Sequence, residues 1–125
     1  MTFEEHRRRA LSCLAATRIW RSNYAPPIYR IMVWMGLKVR PPHFNPFMIN
    51  LALNGVYFGI VFGAVMTVVG IFLEHEILPT FAAAALFFMS SGLAAGLPFG
   101  LLMASYYRLG SLKSKLPTWD ALAQD

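Results

Sequence analysis

The side chains able to coordinate a metal or carry a proton are few in this chain: His6, His43 and His75, the carboxylates Glu4, Glu5, Glu74, Glu76, Asp120 and Asp125, and Cys13. Glu74-His75-Glu76 is acidic enough to attract a divalent cation, but adjacent side chains rarely converge on one ion, so a solvated turn is the better reading. His6 and His43 stand in a different part of the sequence and share no site with His75. No Ser/His/Asp or Cys/His set, phosphate-cradling loop or carboxylate pair is present, so the chain is read as a non-enzyme that holds no cofactor and no metal. Cys13 has no partner for a disulfide. The residues before it are Glu, His and Arg instead of an apolar core, which argues against a lipoprotein cleavage site or a secretory signal.

The strongest local pattern is structural. Gly55, Gly59 and Gly63 recur at a spacing of four, and so do Gly92, Gly96 and Gly100. On a helix that spacing lines one face with small residues, letting two backbones approach closely, and close approach is what joins helices in lipid, where hydrophobicity gives no drive. Both trios are therefore read as helix-packing faces that meet within one hairpin. Asn50 and Asn54 lie one turn apart, and their amides have a structural role. No ionisable side chain falls inside either apolar run, which sets aside a transporter or pump.

Positioning those faces requires two long helices. With 57% apolar residues the sequence is too hydrophobic for an ordinary soluble domain of its size. The excess lies between Phe47 and Tyr106. Spans over about 47–73 and 78–106 are expected, the second containing Pro98 and therefore a local kink. Twenty-seven residues at ~1.5 Å each exceed a ~30 Å bilayer core, so the first span must tilt or protrude. Pro79 suits the first turn of the second.

The flanks carry the charge. Arg7, Arg8, Arg9, Arg18, Arg21, Arg30, Lys38 and Arg40 precede the first span and Arg108, Lys113 and Lys115 follow the second, while the turn between has no Lys or Arg. The bias places both termini in the cytoplasm. Arg7-Arg8-Arg9 on such a chain meets anionic lipid before nucleic acid, so no nucleic-acid partner is expected. Trp20, Trp34 and Trp119, with Tyr24, Tyr29, Tyr106 and Tyr107, are read as an aromatic belt at the headgroup level of that side.

Before the spans, Thr2 and Glu5 form a capping box for a helix over about 3–17. Ser22 to Pro27 breaks it, and a second short helix starts on Pro27 and stops at Gly36. Its face of Ile28, Ile31, Met32 and Met35, with Arg30 and Trp34 beside it, is too short to span and should lie on a membrane or protein surface. Arg40 to Pro46 is a second proline-rich linker, expected to be extended. Residues 1–46 thus form a surface arm, 47–106 a hairpin, and 107–125 a basic tail.

The segments Trp20-Arg21-Ser22-Asn23-Tyr24-Ala25-Pro26-Pro27 and Arg40-Pro41-Pro42-His43-Phe44, and the spacing between them, resemble the signature of a family of small bacterial membrane proteins, domain of unknown function 6404. The likeness is clearest from about Ile19 to Gly63. It implies a bacterial inner-membrane location, and no activity, ligand or catalytic residue comes with it.

The reading is an all-α integral membrane protein, a two-helix transmembrane hairpin preceded by short amphipathic helices. Its partners are the lipid bilayer and a second copy or a larger membrane complex. A structural or accessory role is expected. The rival is a small oligomeric pore former of toxin or holin type, which would need a polar stripe along the spans, where this sequence offers mostly Asn50, Asn54, Ser90 and Ser91.

Overall fold

The computed structural model describes residues 1–73 and 80–124, and the Glu74-His75-Glu76 turn and Pro79 lie outside the described residues. Among the described residues all regular structure is helical: α1 (Phe3–Ala15), α2 (Arg21–Tyr24), α3 (Pro27–Trp34), α4 (Phe47–Leu73) and α5 (Phe81–Lys113), with 3₁₀ turns at Pro42–Phe44 and Asp120–Ala123. The chain forms two compact units. One combines Met1–Phe47 with Ser105–Asp125, and the other is Met48–Ala104.

In the first unit, α1 starts on the expected capping box: the Glu5 amide donates to Thr2 Oγ1 at 3.2 Å and the Thr2 amide to Glu5 Oε2 at 2.8 Å. These bonds hold the Glu5 carboxyl below its ordinary range. The helix stops at Ala15, two residues short of the expected end. The break before Pro26 contains the single helical turn α2, whose first bonds close on the Trp20 carbonyl. The Arg40–Pro46 linker is not wholly extended either. Proline's fixed φ suits a 3₁₀ turn as well as an extended chain, and the Phe44 amide donates to Pro41 O at 2.9 Å.

Two helices end in the same manner. After α3 the Gly36 amide bonds Val33 O and the Leu37 amide bonds Met32 O, with Gly36 at φ 83°. After α5 the Lys115 amide bonds Leu112 O and the Leu116 amide bonds Ser111 O, with Lys115 at φ 51°. Both are Schellman closures, which place one residue in the left-handed region where glycine fits and lysine is strained. Lys115→Gly should therefore raise the stability of this unit by ~1 kcal/mol, read as a higher thermal midpoint in neutral detergent. An unchanged or lower midpoint would show that Lys115 is held by side-chain contacts instead.

The core of the first unit is Ala10, Leu14, Phe44, Trp119 and Leu122, joined at its edge by Phe3, Leu11, Ile19 and Leu116. Residues 107–125 are thus no free tail. Through Lys113 they continue α5, which runs seven residues beyond the expected end at Tyr106, and the Asp120–Ala123 turn packs on α1. Trp119 is only 8% exposed, which corrects its placement in a headgroup belt; Tyr29 and Tyr107 are also buried, whereas Trp20 and Trp34 are open at 77% and 86%.

In the second unit, α4 and α5 lie against each other. Thr80 caps α5, its Oγ1 accepting from the Ala83 amide at 3.1 Å. Large apolar side chains such as Val56, Ile60, Val65, Leu86, Leu93 and Leu97 stand exposed, and Val56, Ile60, Leu93 and Leu97 border an apolar groove beside the glycines of the two helices. Pro98 sits within the continuous α5.

Candidate functional site

The glycine trios face one another. A β-carbon placed on Gly59 would lie 2.8 Å from the carbonyl oxygen of Gly92 and 3.6 Å from Gly96 Cα. One on Gly63 would lie 2.7 Å from Phe88 O, and one on Gly100 would lie 2.7 Å from Leu51 O and 3.0 Å from Gly55 Cα. The pairing runs antiparallel, with Gly55 opposite Gly96 and Gly100, Gly59 opposite Gly92 and Gly96, and Gly63 opposite Phe88 and Gly92. The contacts are backbone on backbone, so no side-chain rotation relieves an added methyl. Such close approach also brings Cα–H groups to carbonyl oxygens across the seam.

Beside the seam, Phe58 stacks on Phe99 with ring centroids 4.1 Å apart. Gly70, seven residues beyond Gly63, is buried too. Sequence reasoning passed over it, though a two-turn continuation of the 55-59-63 face would have found it. Asn50 and Asn54 are buried, and the Asn54 amide donates to the Asn50 carbonyl at 2.8 Å. The hydroxyls behave likewise: Thr67 donates to Gly63 O at 2.7 Å and Ser91 to Phe87 O. Asn54, Thr67 and Ser91 thus bond within their own helices.

The residues expected to contact a surface differ in exposure. Arg30, Ile31, Trp34 and Met35 are exposed, Ile28 and Met32 are half-buried, and the residue of α3 that is fully buried is Tyr29. Tyr29 precedes Val33 by four, and this stripe packs inward while Ile31, Trp34 and Met35 are left open. Burial pushes the Tyr29 phenol upward.

The histidines are placed apart. His6 stacks on the Trp119 indole at a centroid separation of 3.8 Å and its Nε2 meets the Trp119 carbonyl. Nearby, Arg9 donates to Leu122 O at 3.0 Å, and the Arg40 guanidinium lies 5.1 Å above the Trp119 ring. Arg7 pairs with Glu4 on the same helix. The basic cluster is thus partly occupied in fastening residues 119–122 to α1.

His43 is the other polar residue at the core of this unit. It is 6% exposed, and neither ring nitrogen has a hydrogen-bond partner. Tyr107 meets it edge-on at 5.1 Å, and Ser111 donates to its carbonyl oxygen. Gly110 makes room for it, since a β-carbon there would come within 3.0 Å of Nε2. Burial pushes the imidazole down to about 4. His75 lies outside the described residues, and among those described no three His, Cys, Asp or Glu side chains form a metal-sized group. Cys13 is half-buried at the edge of the α1 core.

No curated protein and no solved structure matches the chain. The model of a family described as a family of unknown function (DUF6404) matches residues 1–122, well beyond the Ile19–Gly63 stretch that carries the clearest sequence likeness. The matched residues include α5 and the Trp119–Leu122 segment that completes the core of the first unit, and the chain belongs to that family.

Proposed function

We propose that this protein is an integral component of a bacterial inner membrane, that α4 and α5 cross the bilayer with both flanks in the cytoplasm, and that it serves a structural or accessory role through helix–helix and surface contacts instead of catalysis. The observation that carries the topology is the make-up of the first unit. Residues before α4 and after α5 share one core, in which Trp119 and Leu122 pack with Ala10 and Leu14. If both helices cross a membrane, a shared core puts both flanks on one side. The concentration of Lys and Arg in those flanks favours the cytoplasm. Lipid is the solvent that suits the exposed apolar side chains of the second unit, where Leu86 is 69% exposed and Leu93 60%.

The pore reading is less well supported. The facing sides of α4 and α5 are closed by backbone contact, and the Asn54, Thr67 and Ser91 side chains bond to their own helices, leaving no polar stripe to line a channel. An enzyme active only in the periplasm should be silent when fused to either terminus and active when inserted between Leu73 and Phe81. Activity at a terminus would overturn the topology. For the role itself, crosslinking in native membranes should recover a stoichiometric partner, a second copy or a larger complex; dye leakage from vesicles holding only this protein would overturn it in favour of a pore.

A further inference from the structure

A cavity of about 940 Å³ opens within the first unit, between the Thr17–Asn23 segment and the last turns of α5. Its wall carries two cations, Arg18 and Lys113, and no carboxylate. Neither cation forms an ion pair among the described residues. The Asn23 amide and the Ser114 hydroxyl also face this space without a hydrogen-bond partner among the described residues. Ile19, Trp20 and Leu109 supply an apolar side. Two positive charges, free donors and an apolar flank around one hollow are the complement of an anion attached to an apolar or glycerol-like body.

His43, in the wall beside Gly110, is a buried side chain with both ring nitrogens unpartnered. Native proteins seldom leave such a group without a partner, since the lost hydration is not regained. Here both nitrogens are covered, Nε2 by Gly110, so the imidazole forms part of the wall without facing the hollow. The backbone amides of α5 take no part, because this is its C-terminal end, which favours cations. Its last carbonyls are already closed by the Ser114, Lys115 and Leu116 amides. The anion must therefore depend on the two side-chain cations.

We propose that this cavity binds a phosphate-bearing ligand, with the phosphate between Arg18 and Lys113 and its organic remainder against Ile19, Trp20 and Leu109. The inference rests on the first unit alone and stands whether or not α4 and α5 cross a bilayer. The phosphate belongs either to an anionic phospholipid headgroup or to a soluble phosphate ester, and the two are separated by titration of the full chain in neutral detergent. The probes are dihexanoyl phosphatidylglycerol, dihexanoyl phosphatidylcholine and glycerol 3-phosphate, read by Trp20 emission as the difference from a Trp20→Phe variant. Saturable binding of the phosphatidylglycerol is expected, weakened by on the order of ten-fold or more in Arg18→Gln/Lys113→Gln. Glycerol 3-phosphate binding as tightly as the lipid identifies a soluble ester; lipid binding alone identifies a headgroup. Arg21→Gln/Lys38→Gln, which removes the same charge at residues that do not line the cavity, should bind as the natural protein does. Three results would overturn the proposal: equal binding of the two lipids, undiminished binding by a folded Arg18→Gln/Lys113→Gln, or equal loss in Arg21→Gln/Lys38→Gln.

Discussion

Isoleucine at Gly59 or Gly96 should drive α4 and α5 apart and cost more than ~3 kcal/mol of stability, because the atoms in the way are backbone and cannot rotate aside. Alanine gives a graded version of the same test. A β-carbon on Gly55 would sit 3.1 Å from Gly96 O, tight enough to need a shift of a few tenths of an ångström. One on Gly96 would meet Gly59 Cα at 3.1 Å as well as the Gly55 carbonyl oxygen more closely still. Alanine also gains ~0.5–1 kcal/mol of helix propensity over glycine. Gly55→Ala should thus fall near neutral, while Gly96→Ala should lose ~1–3 kcal/mol on balance. Thermal or denaturant unfolding in neutral detergent reads both. Equal, neutral effects at the two positions would mean that the helices do not meet through this face.

Acidification should destabilise the first unit through His43. Burial lowers its pKa from 6.5 to about 4 in the folded protein, so between those values the unfolded chain binds more protons than the native one. Stability is then fully present above about pH 6.5 and falls as pH drops toward 4, by up to ~3 kcal/mol. His43→Phe keeps a flat ring in the slot beside Gly110 and removes the titration. The difference between the two proteins isolates His43 from His6 and the carboxylates, which both proteins share. Parallel stability curves from pH 7 to pH 4 would show that the imidazole takes up its proton in the folded state without penalty.

The elements that announce themselves locally were legible in the sequence. Thr2 and Glu5 cap α1 because both partners lie within one turn. The glycine trios could be read because spacing of four makes a face on any helix. The C-terminal part was misjudged for a different reason. Arg108 ends the apolar run, but a charge does not end a helix; α5 continues until the Lys115 and Leu116 closure, with Pro117 just beyond. Trp119 was assigned to a headgroup belt because an indole suits a membrane interface and a protein core equally, and its partners Phe3 and His6 lie more than a hundred positions away. The cavity between Arg18 and Lys113 was illegible for the same reason. Its walls come from opposite ends of the chain, and each residue alone reads as a topology charge.

The discontinuity of the first unit fixes an order of assembly. Residue pairs that fasten its ends, such as Arg9 with Leu122, are 113 positions apart. At typical synthesis rates α1 waits roughly ten seconds on the ribosome before Trp119 and Leu122 exist. Both long apolar helices are made within that interval, so the N-terminal segment folds last although it is synthesised first. Until then its Ala10 and Leu14 face needs temporary cover from a chaperone or the lipid surface. A chain stalled before Trp119 is therefore expected to leave α1 open to protease, which makes the arrival of Trp119 and Leu122 a checkpoint for this unit.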